Sequence, residues 1–221
     1  MSRLITPSVI GAVEWLRAAP DKINDKGVNW RTQARIDLEN QLGRVPWSEA
    51  NSNKLSFVLG HKFEDTVYAY AHKDQVDGGS EHFNWFVDKC KGGIFQKKSK
   101  RIITLDGVEY CLYGKLDVWF PDRILDIKTT RRYKGQQGYL DSFQHIMYCF
   151  NENIMDFEYL IAEFEDKDEK PKILEHHEIK FHAESRDYLR ERVESAVKSF
   201  VKFISSDQKL FELYTTKFTQ Y

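Results

Sequence analysis

Two short runs near the middle of the chain, KLDVWF and RILDIKTT, constrain the fold more than any other stretch. Each is rich in β-branched and aromatic residues, and the Pro121-Asp122 step between them is turn chemistry, so they read as two adjacent strands of one sheet. Side chains alternate faces along a strand. Lys115, Asp117 and Trp119 therefore share one face of the first strand, with Leu116, Val118 and Phe120 on the other. In the second, Ile124, Asp126 and Lys128 share a face, and Leu125 and Ile127 lie opposite. Two carboxylates and a lysine thus emerge from strands that are otherwise hydrophobic. Burying such carboxylates unpaired is costly. A divalent cation between them resolves the cost, because hard oxygen ligands are what Mg²⁺ takes.

The surrounding pattern places this pair inside an α/β chain. Roughly the first 90 residues carry helical periodicity. One helix is expected over Ser8–Ala19, with Val9, Val13 and Leu16 on one side and Pro20 at its end. A second is expected over Trp30–Leu42, stopped by Gly43 and Pro46. A third and longest runs from about Lys54 to His72, with Leu55, Val58, Leu59, Phe63, Val67 and Tyr70 as its apolar face. Gly78-Gly79 precedes a short helix around His82–Lys91. From Gly93 to Thr129 come strand-like runs broken at Asp106-Gly107 and Pro121-Asp122, a meander of three or four strands. A helix over Gly138–Phe150 follows, then strands FEYLIAEF and KILEHHEIKF around the charged turn DKDEKP, then an amphipathic helix from Ala183 to about Ile204. The order implies an α/β or α+β sandwich built on one main sheet. We expect a single domain over residues 1–221: a helical N-terminal elaboration over 1–52, a core over 53–182 and a C-terminal helix over 183–221.

Composition narrows the class mainly by exclusion. No apolar run approaches the ~20 residues that span a bilayer, so no membrane association is expected. Glu14, Trp15 and Arg17 interrupt the N-terminal apolar stretch at helical spacing, which argues for an amphipathic helix over a signal peptide. Cys90, Cys111 and Cys149 are scattered, make no CxxC pair and read as the reduced thiols of a cytoplasmic protein. The formal net charge of −1 means that any nucleic-acid surface must be locally basic. Such local charge exists. Arg131, Arg132 and Lys134 follow the second strand directly, interleaved with Tyr133 and Tyr139, and Lys97, Lys98, Lys100 and Arg101 form a second cluster. Basic groups hold backbone phosphates, and aromatic rings stack on unpaired bases.

A D-x-K triplet alone is weak, and this chain has others. Asp168-Glu169-Lys170 lies in a run of charges that reads as a solvated turn. Glu178-Ile179-Lys180 lacks a carboxylate on a preceding paired strand. Only Asp126-Ile127-Lys128 has such a partner, Asp117. The third helix adds Gly60 and Glu64, with His61, Glu64 and Tyr68 forming a polar stripe. The helix after the strands adds Gln144 and Tyr148 at i, i+4. His176 and His177 are neighbours on a strand and point to opposite faces, so they read as surface residues and not as a metal pair.

In this order, Gly60/Glu64, Gly114/Asp117, Asp126/Lys128 and Gln144/Tyr148 resemble the RecB-like exonuclease branch of the PD-(D/E)XK nuclease superfamily over about residues 55–150. Leu116 stands where many relatives have proline, and the cysteines that hold an iron–sulfur cluster in some relatives have no counterpart. The resemblance implies a restriction-endonuclease-like core, a mixed sheet flanked by helices. It also implies hydrolysis of DNA phosphodiester bonds with Mg²⁺ or Mn²⁺ and without an iron–sulfur cluster. Asp117, Asp126, Glu64 and the Ile127 carbonyl would ligate the metal, Lys128 would orient water or stabilise charge, and Gln144 and Tyr148 would position the scissile strand. Arg131, Arg132, Tyr133 and Lys134 would bind DNA that is single-stranded or has free ends. The expected role is exonucleolytic or end-processing, in recombination, repair or replication, alongside a recombination or replication protein partner. The alternatives are a structure- or sequence-specific endonuclease on the same core, a non-catalytic nucleic-acid-binding module, and a structural α/β domain.

Overall fold

The structure, a computed structural model, describes residues 2–23, 27–45, 55–73, 79–165 and 172–218. Pro46, Gly78 and the DKDEKP turn with its Asp168-Glu169-Lys170 triplet lie outside the described residues. Among the described residues six strands, β1 (Arg3–Ile5), β2 (Ile94–Leu105), β3 (Val108–Trp119), β4 (Arg123–Thr130), β5 (Asp156–Phe164) and β6 (Ile173–His182), form one mixed sheet in the order β1-β3-β4-β5-β6, with β2 also pairing β3. The chain divides into two compact units: residues 1–52, 99–114 and 187–221 in one, and residues 53–98 and 115–186 in the other. Strands β2 (Ile94–Leu105) and β3 (Val108–Trp119) contribute to both.

In the first unit, strand β1 (Arg3–Ile5) pairs parallel with β3 at Tyr110–Leu112. Helix α1 (Pro7–Ala18) starts where Thr6 accepts a hydrogen bond from Val9 N at 3.3 Å and Pro7 occupies the first turn, a position that needs no N–H. Helix α2 (Trp30–Leu42) is capped by Asn29, whose side chain accepts from Arg31 N and Thr32 N. Helix α7 (Arg186–Ser205) buries Leu189, Val193, Val197, Phe200 and Ile204, one stripe at helical spacing. A short helix, α8 (Gln208–Leu213), is capped by Asp207, and the same carboxylate receives the Arg35 guanidinium at 2.5 and 3.1 Å. Tyr214 Oη donates to Leu4 O at 3.0 Å, tying the C-terminal turn to β1.

In the second unit, β3 and strand β4 (Arg123–Thr130) form the antiparallel pair expected around Pro121-Asp122. Strand β5 (Asp156–Phe164) lies parallel to β4 along its whole length, and strand β6 (Ile173–His182) is antiparallel to β5. Helices α3 (Leu55–Lys73) and α4 (Glu81–Cys90) cover one face, where Phe63, Val67, Tyr68, Phe86, Val87 and Cys90 pack with Val118, Leu125, Ile127, Leu160 and Ala162. Helices α5 (Gln137–Leu140) and α6 (Gln144–Glu152) lie on the other, where His145 hydrogen-bonds Tyr159 and the Tyr148 ring lies close to parallel with Phe157, centroids 6.4 Å apart. With both faces covered, Ile124 and Asp126 are buried as fully as Leu125 and Ile127.

Several expectations change. VEYCLYG and KLDVWF are one continuous strand. The helix expected over 138–150 is two pieces, α5 and α6, separated at Asp141–Phe143. The inward face of α3 keeps Phe63 and Val67 as expected but is shifted: Gly60, Tyr68 and Ala71 are buried with them, whereas Val58 and Tyr70 are 49% and 37% exposed. Gly60 and Ala71 have too little apolar surface to register in a hydrophobic pattern, yet small residues let a helix approach a sheet closely. Tyr68 belongs to this buried stripe, its hydroxyl satisfied by Gln96 Nε2 at 2.8 Å, and not to an exposed polar one.

Gly93, between α4 and β2, sits so close to β3 that an added Cβ would lie 2.2 Å from Val118 Cγ1 and 2.9 Å from the Phe120 ring. Val118 is fully buried in the core and cannot swing away, and Phe120 is partly buried against it. Gly93→Ala is therefore expected to lower stability by about 1–3 kcal/mol, the usual cost of overpacking, read as a lower midpoint in chemical denaturation.

Candidate active site

The registered pairs of the β3–β4 hairpin are Trp119↔Ile124 and Val118↔Leu125. One step further the same register would set Asp117 against Asp126, and like charges directly opposite one another destabilise a sheet. The ladder opens there instead. Asp117 Oδ2 accepts a hydrogen bond from Ile127 N at 2.9 Å, so a side-chain carboxylate takes a backbone donor of the neighbouring strand. Two acidic residues thus stand side by side where the strands part.

Asp126 is 2% exposed. Its Oδ1 accepts from Gln144 Nε2 at the start of α6. Its Oδ2 lies 2.6 Å from Lys128 Nζ in an ion pair, but takes no partner in hydrogen-bonding geometry. Lys128, two residues along the same strand, is 36% exposed at its side chain. Glu64 reaches the group from α3. A Cβ on Gly60 would lie 2.9 Å from Thr129 Oγ1, so the bare glycine lets α3 run against the end of β4 and brings Glu64, one turn later, to the carboxylates.

The electrostatics follow from crowding. Burial pushes the Glu64 carboxyl up to about 7, with Asp126 and Asp65 adding to the shift and Lys128 and Lys115 opposing it. Burial likewise holds the Asp117 carboxyl well above the usual range, reinforced by Asp126 and Glu64 against Lys128 and the Ile127 N–H. For Lys128, burial favours the neutral amine, but Asp126, Asp117 and Glu64 together outweigh it and keep the ammonium above its ordinary value. Three carboxyl groups crowd round Lys128, with Lys115 the other cation acting on Glu64, and the raised carboxyls hold protons in place of a further positive charge.

Sequence reasoning named Glu64, Asp117, Asp126, Ile127, Lys128, Gln144 and Tyr148, and all belong to the second unit. Glu64, Asp117, Asp126 and Lys128 interact directly by charge, and Gln144 joins them through Asp126. Tyr148 is buried and its Oη donates to Lys115 O at 3.2 Å, so it braces the backbone of β3. Arg131, Arg132 and Lys134 are exposed in the loop after β4, where Thr130 Oγ1 and Arg132 exchange hydrogen bonds that shape the turn. Tyr133 stacks on His177 with centroids 3.9 Å apart and planes 15° apart. Of the other basic cluster, Lys97 is engaged with Glu152 and lies over the Trp119 ring at 4.4 Å. Glu178, of the rejected Glu178-Ile179-Lys180 triplet, pairs with Lys89 and with Lys180 at 3.5 Å.

The donor set suits a hard divalent cation. Its oxygens are carboxylates, one of them buried and without a hydrogen-bond partner, and a cation would neutralise the repulsion that lifts Glu64 and Asp117. The three carboxylates do not converge on one point, however. Among the described residues, the set whose ligand atoms all lie within 4.8 Å of one another is Glu163, Glu175 and His177. Sequence reasoning missed this group. The two histidines do point to opposite faces, with His176 stacked on Trp85 and His177 beside Glu163. What could not be read was the β5–β6 register, which sets Glu163 against Glu175.

No protein-family model and no curated protein matches the chain. Solved structures do. LHK-Exo, crystallised in complex with dAMP, aligns over 96% of this chain and 93% of its own with 12% identity and a TM-score of 0.52. SSO0001 aligns over 90% of this chain and 77% of its own with 15% identity and a TM-score of 0.50. At such identities the likeness concerns the fold: a mixed sheet flanked by helices, as in a restriction-endonuclease-like core.

Proposed function

We propose that this protein is a divalent-metal-dependent nuclease that hydrolyses DNA phosphodiester bonds, working from ends as an exonuclease in recombination, repair or replication. The observation that carries the reading is the grouping of Glu64, Asp117, Asp126 and Lys128, close enough to act on one another by charge, where β3 and β4 part. Its support is threefold: the crowding of carboxyl groups there, the order of the motifs along the chain, and the likeness of the fold to that of LHK-Exo.

Asp117, Asp126, Glu64 and the Ile127 carbonyl would hold Mg²⁺ or Mn²⁺, which supplies charge that polarises the phosphate and lowers the pKa of bound water. The Lys128 ammonium, kept protonated by its acidic neighbours, orients the attacking water and meets the charge that develops on the phosphate. Gln144 fixes the Asp126 carboxylate through its amide, and Tyr148 holds β3 through the Lys115 carbonyl. Both act as positioning residues. Arg131, Arg132 and Lys134 lie directly downstream of Lys128 in the chain and contact backbone phosphates, and Tyr133 contacts the bases. Exonuclease action is preferred to endonuclease action on the sequence resemblance.

The assay is degradation of end-labelled linear and closed circular DNA with Mg²⁺, Mn²⁺ or EDTA. Linear DNA is expected to be degraded only with metal, and Asp126→Ala to slow this by more than about 100-fold, beyond what loss of an outer support costs. Cutting of circles would replace the exonuclease by an endonuclease. Inertness of the wild type on DNA with both metals would sink the DNase reading.

A second expectation concerns stability. Glu64 and Asp117 have folded pKa values above their unfolded ones, so the folded chain keeps protons that the unfolded chain releases. Their stabilising contribution is complete below the ordinary carboxyl range and is lost as pH rises to about 7, where Glu64 titrates. In EDTA the protein should lose on the order of 2 kcal/mol between mildly acidic and mildly alkaline pH from Glu64. Glu64→Gln and Asp117→Asn should flatten that slope, and Mg²⁺ should raise Tm more at the alkaline end. A Tm independent of pH in EDTA would contradict the crowding described above.

A further inference from the structure

A row of aromatic groups runs beside Lys128 on the same face of the sheet. The registers pair Lys128 with Ile161 and Ile161 with His177, and pair Thr130 with Glu163 and Glu163 with Glu175. Paired residues project to one face, and strands lie about 4.8 Å apart, so His177 stands roughly 10 Å from Lys128 across the sheet. Glu163 Oε2 holds His177 Nε2 at 3.1 Å, and the imidazole backs the Tyr133 ring at 3.9 Å. Tyr133, which sits in a loop, is thus backed on one face. Tyr139, in the short helix α5, packs near Tyr159, whose ladder partner is Asp126.

Tyr133 and Tyr139 are close to parallel, 28° apart, but their centroids are 6.3 Å apart against 3.9 Å for Tyr133 and His177. At that separation the two rings cover little of each other. Bases along a DNA strand stack about 3.4 Å apart, so a base sandwiched between two rings needs them about 6.8 Å apart. The observed spacing falls short by only about half an ångström, which a loop side chain can supply.

We propose that Tyr133 and Tyr139 take one unpaired nucleobase of a single strand between them, with His177 and Glu163 as the rigid backing of the slot. The inference rests on the nuclease reading only for what then happens to the strand. A base in the interior of a duplex is already stacked on both faces and cannot enter, so the slot selects single strands and frayed ends. It lies on the Lys128 side of the sheet, where a base held between the rings places the adjoining phosphate towards the carboxylates. Arg132 and Lys134 are exposed on either side of Tyr133 in the same loop and meet the phosphates of that strand.

The test is binding, not cleavage, in an Asp126→Ala background with Ca²⁺ present. A short single-stranded oligonucleotide carrying 2-aminopurine is titrated with the protein, and fluorescence quenching and anisotropy are followed together. Stacking of the probe base is expected to quench it. Tyr133→Ala and Tyr139→Ala should each weaken single-strand binding by about tenfold and abolish the quench. Tyr133→Phe, which keeps the ring, should retain both, and it also controls for misfolding. Binding of a blunt duplex should change little in any of them. Unchanged single-strand affinity and quench in Tyr133→Ala would overturn the slot, as would equal losses on single strands and duplex. Because the binding is read without turnover, the slot stands if quenching is seen in a protein that cleaves nothing. It falls if an active nuclease shows no quench.

Discussion

The hydrogen bond from Ile127 N to the Asp117 carboxylate is the contact on which the rest of the candidate site depends. An antiparallel pair that continued in register would press Asp117 against Asp126 with their backbones fully bonded. By giving a backbone donor to a side-chain oxygen, the sheet parts at that step and still leaves the donor satisfied. The cost is electrostatic. Two carboxyls come together in a place from which water is largely excluded, and a third, Glu64, is added from α3. The raised carboxyls and the tightly held Lys128 proton are consequences of that one opening.

Helices on opposite faces of the second unit complete the arrangement in different ways. Helix α3 contributes by closeness: Gly60 lets its backbone run against Thr129, and Glu64 follows one turn later. Helix α6 contributes by hydrogen bonding. Its first residue, Gln144, holds Asp126, and Tyr148, one turn on, holds the backbone of β3. The groups they hold, the Asp126 carboxylate and the Lys115 carbonyl, sit on strands that are packed by apolar side chains. Such a frame keeps mutually repelling groups in place, and its positions are set by rigid elements more than by loops.

How much of this was legible in the sequence varied with the range of the interaction. The hairpin around Pro121-Asp122 and the alternation that sets Asp117, Asp126 and Lys128 apart are local, and the structure has them as read. The choice of Asp126-Ile127-Lys128 over Glu178-Ile179-Lys180 rested on the latter lacking a carboxylate on a preceding paired strand, but β5 does supply one, Glu158, and Glu178 interacts with it as well as with Lys89 and Lys180. The inward face of α3 was read in part: Phe63 and Val67 are buried as expected, whereas Gly60 and Ala71 pack by being small and Val58 and Tyr70 lie outward. The break between α5 and α6 left no proline or glycine signal at Asp141–Phe143.

The sequence by itself determined the strands after Gly93, their alternation and the residue types available to a cation and a phosphate, since these depend on neighbours a few positions apart; strand β1, in a stretch that reads as helical, escaped it. Tertiary structure decided which groups meet. The parallel pairing of β1 with β3 joins residues more than a hundred positions apart, and no local pattern encodes it. The β5–β6 register brings Glu163, Glu175 and His177 together, and the loop after β4 then lays Tyr133 on that histidine. A one-residue slip in that register would send His177 to the other face. Register is fixed by the packing of whole faces against helices, and so it becomes visible only once the sheet is assembled.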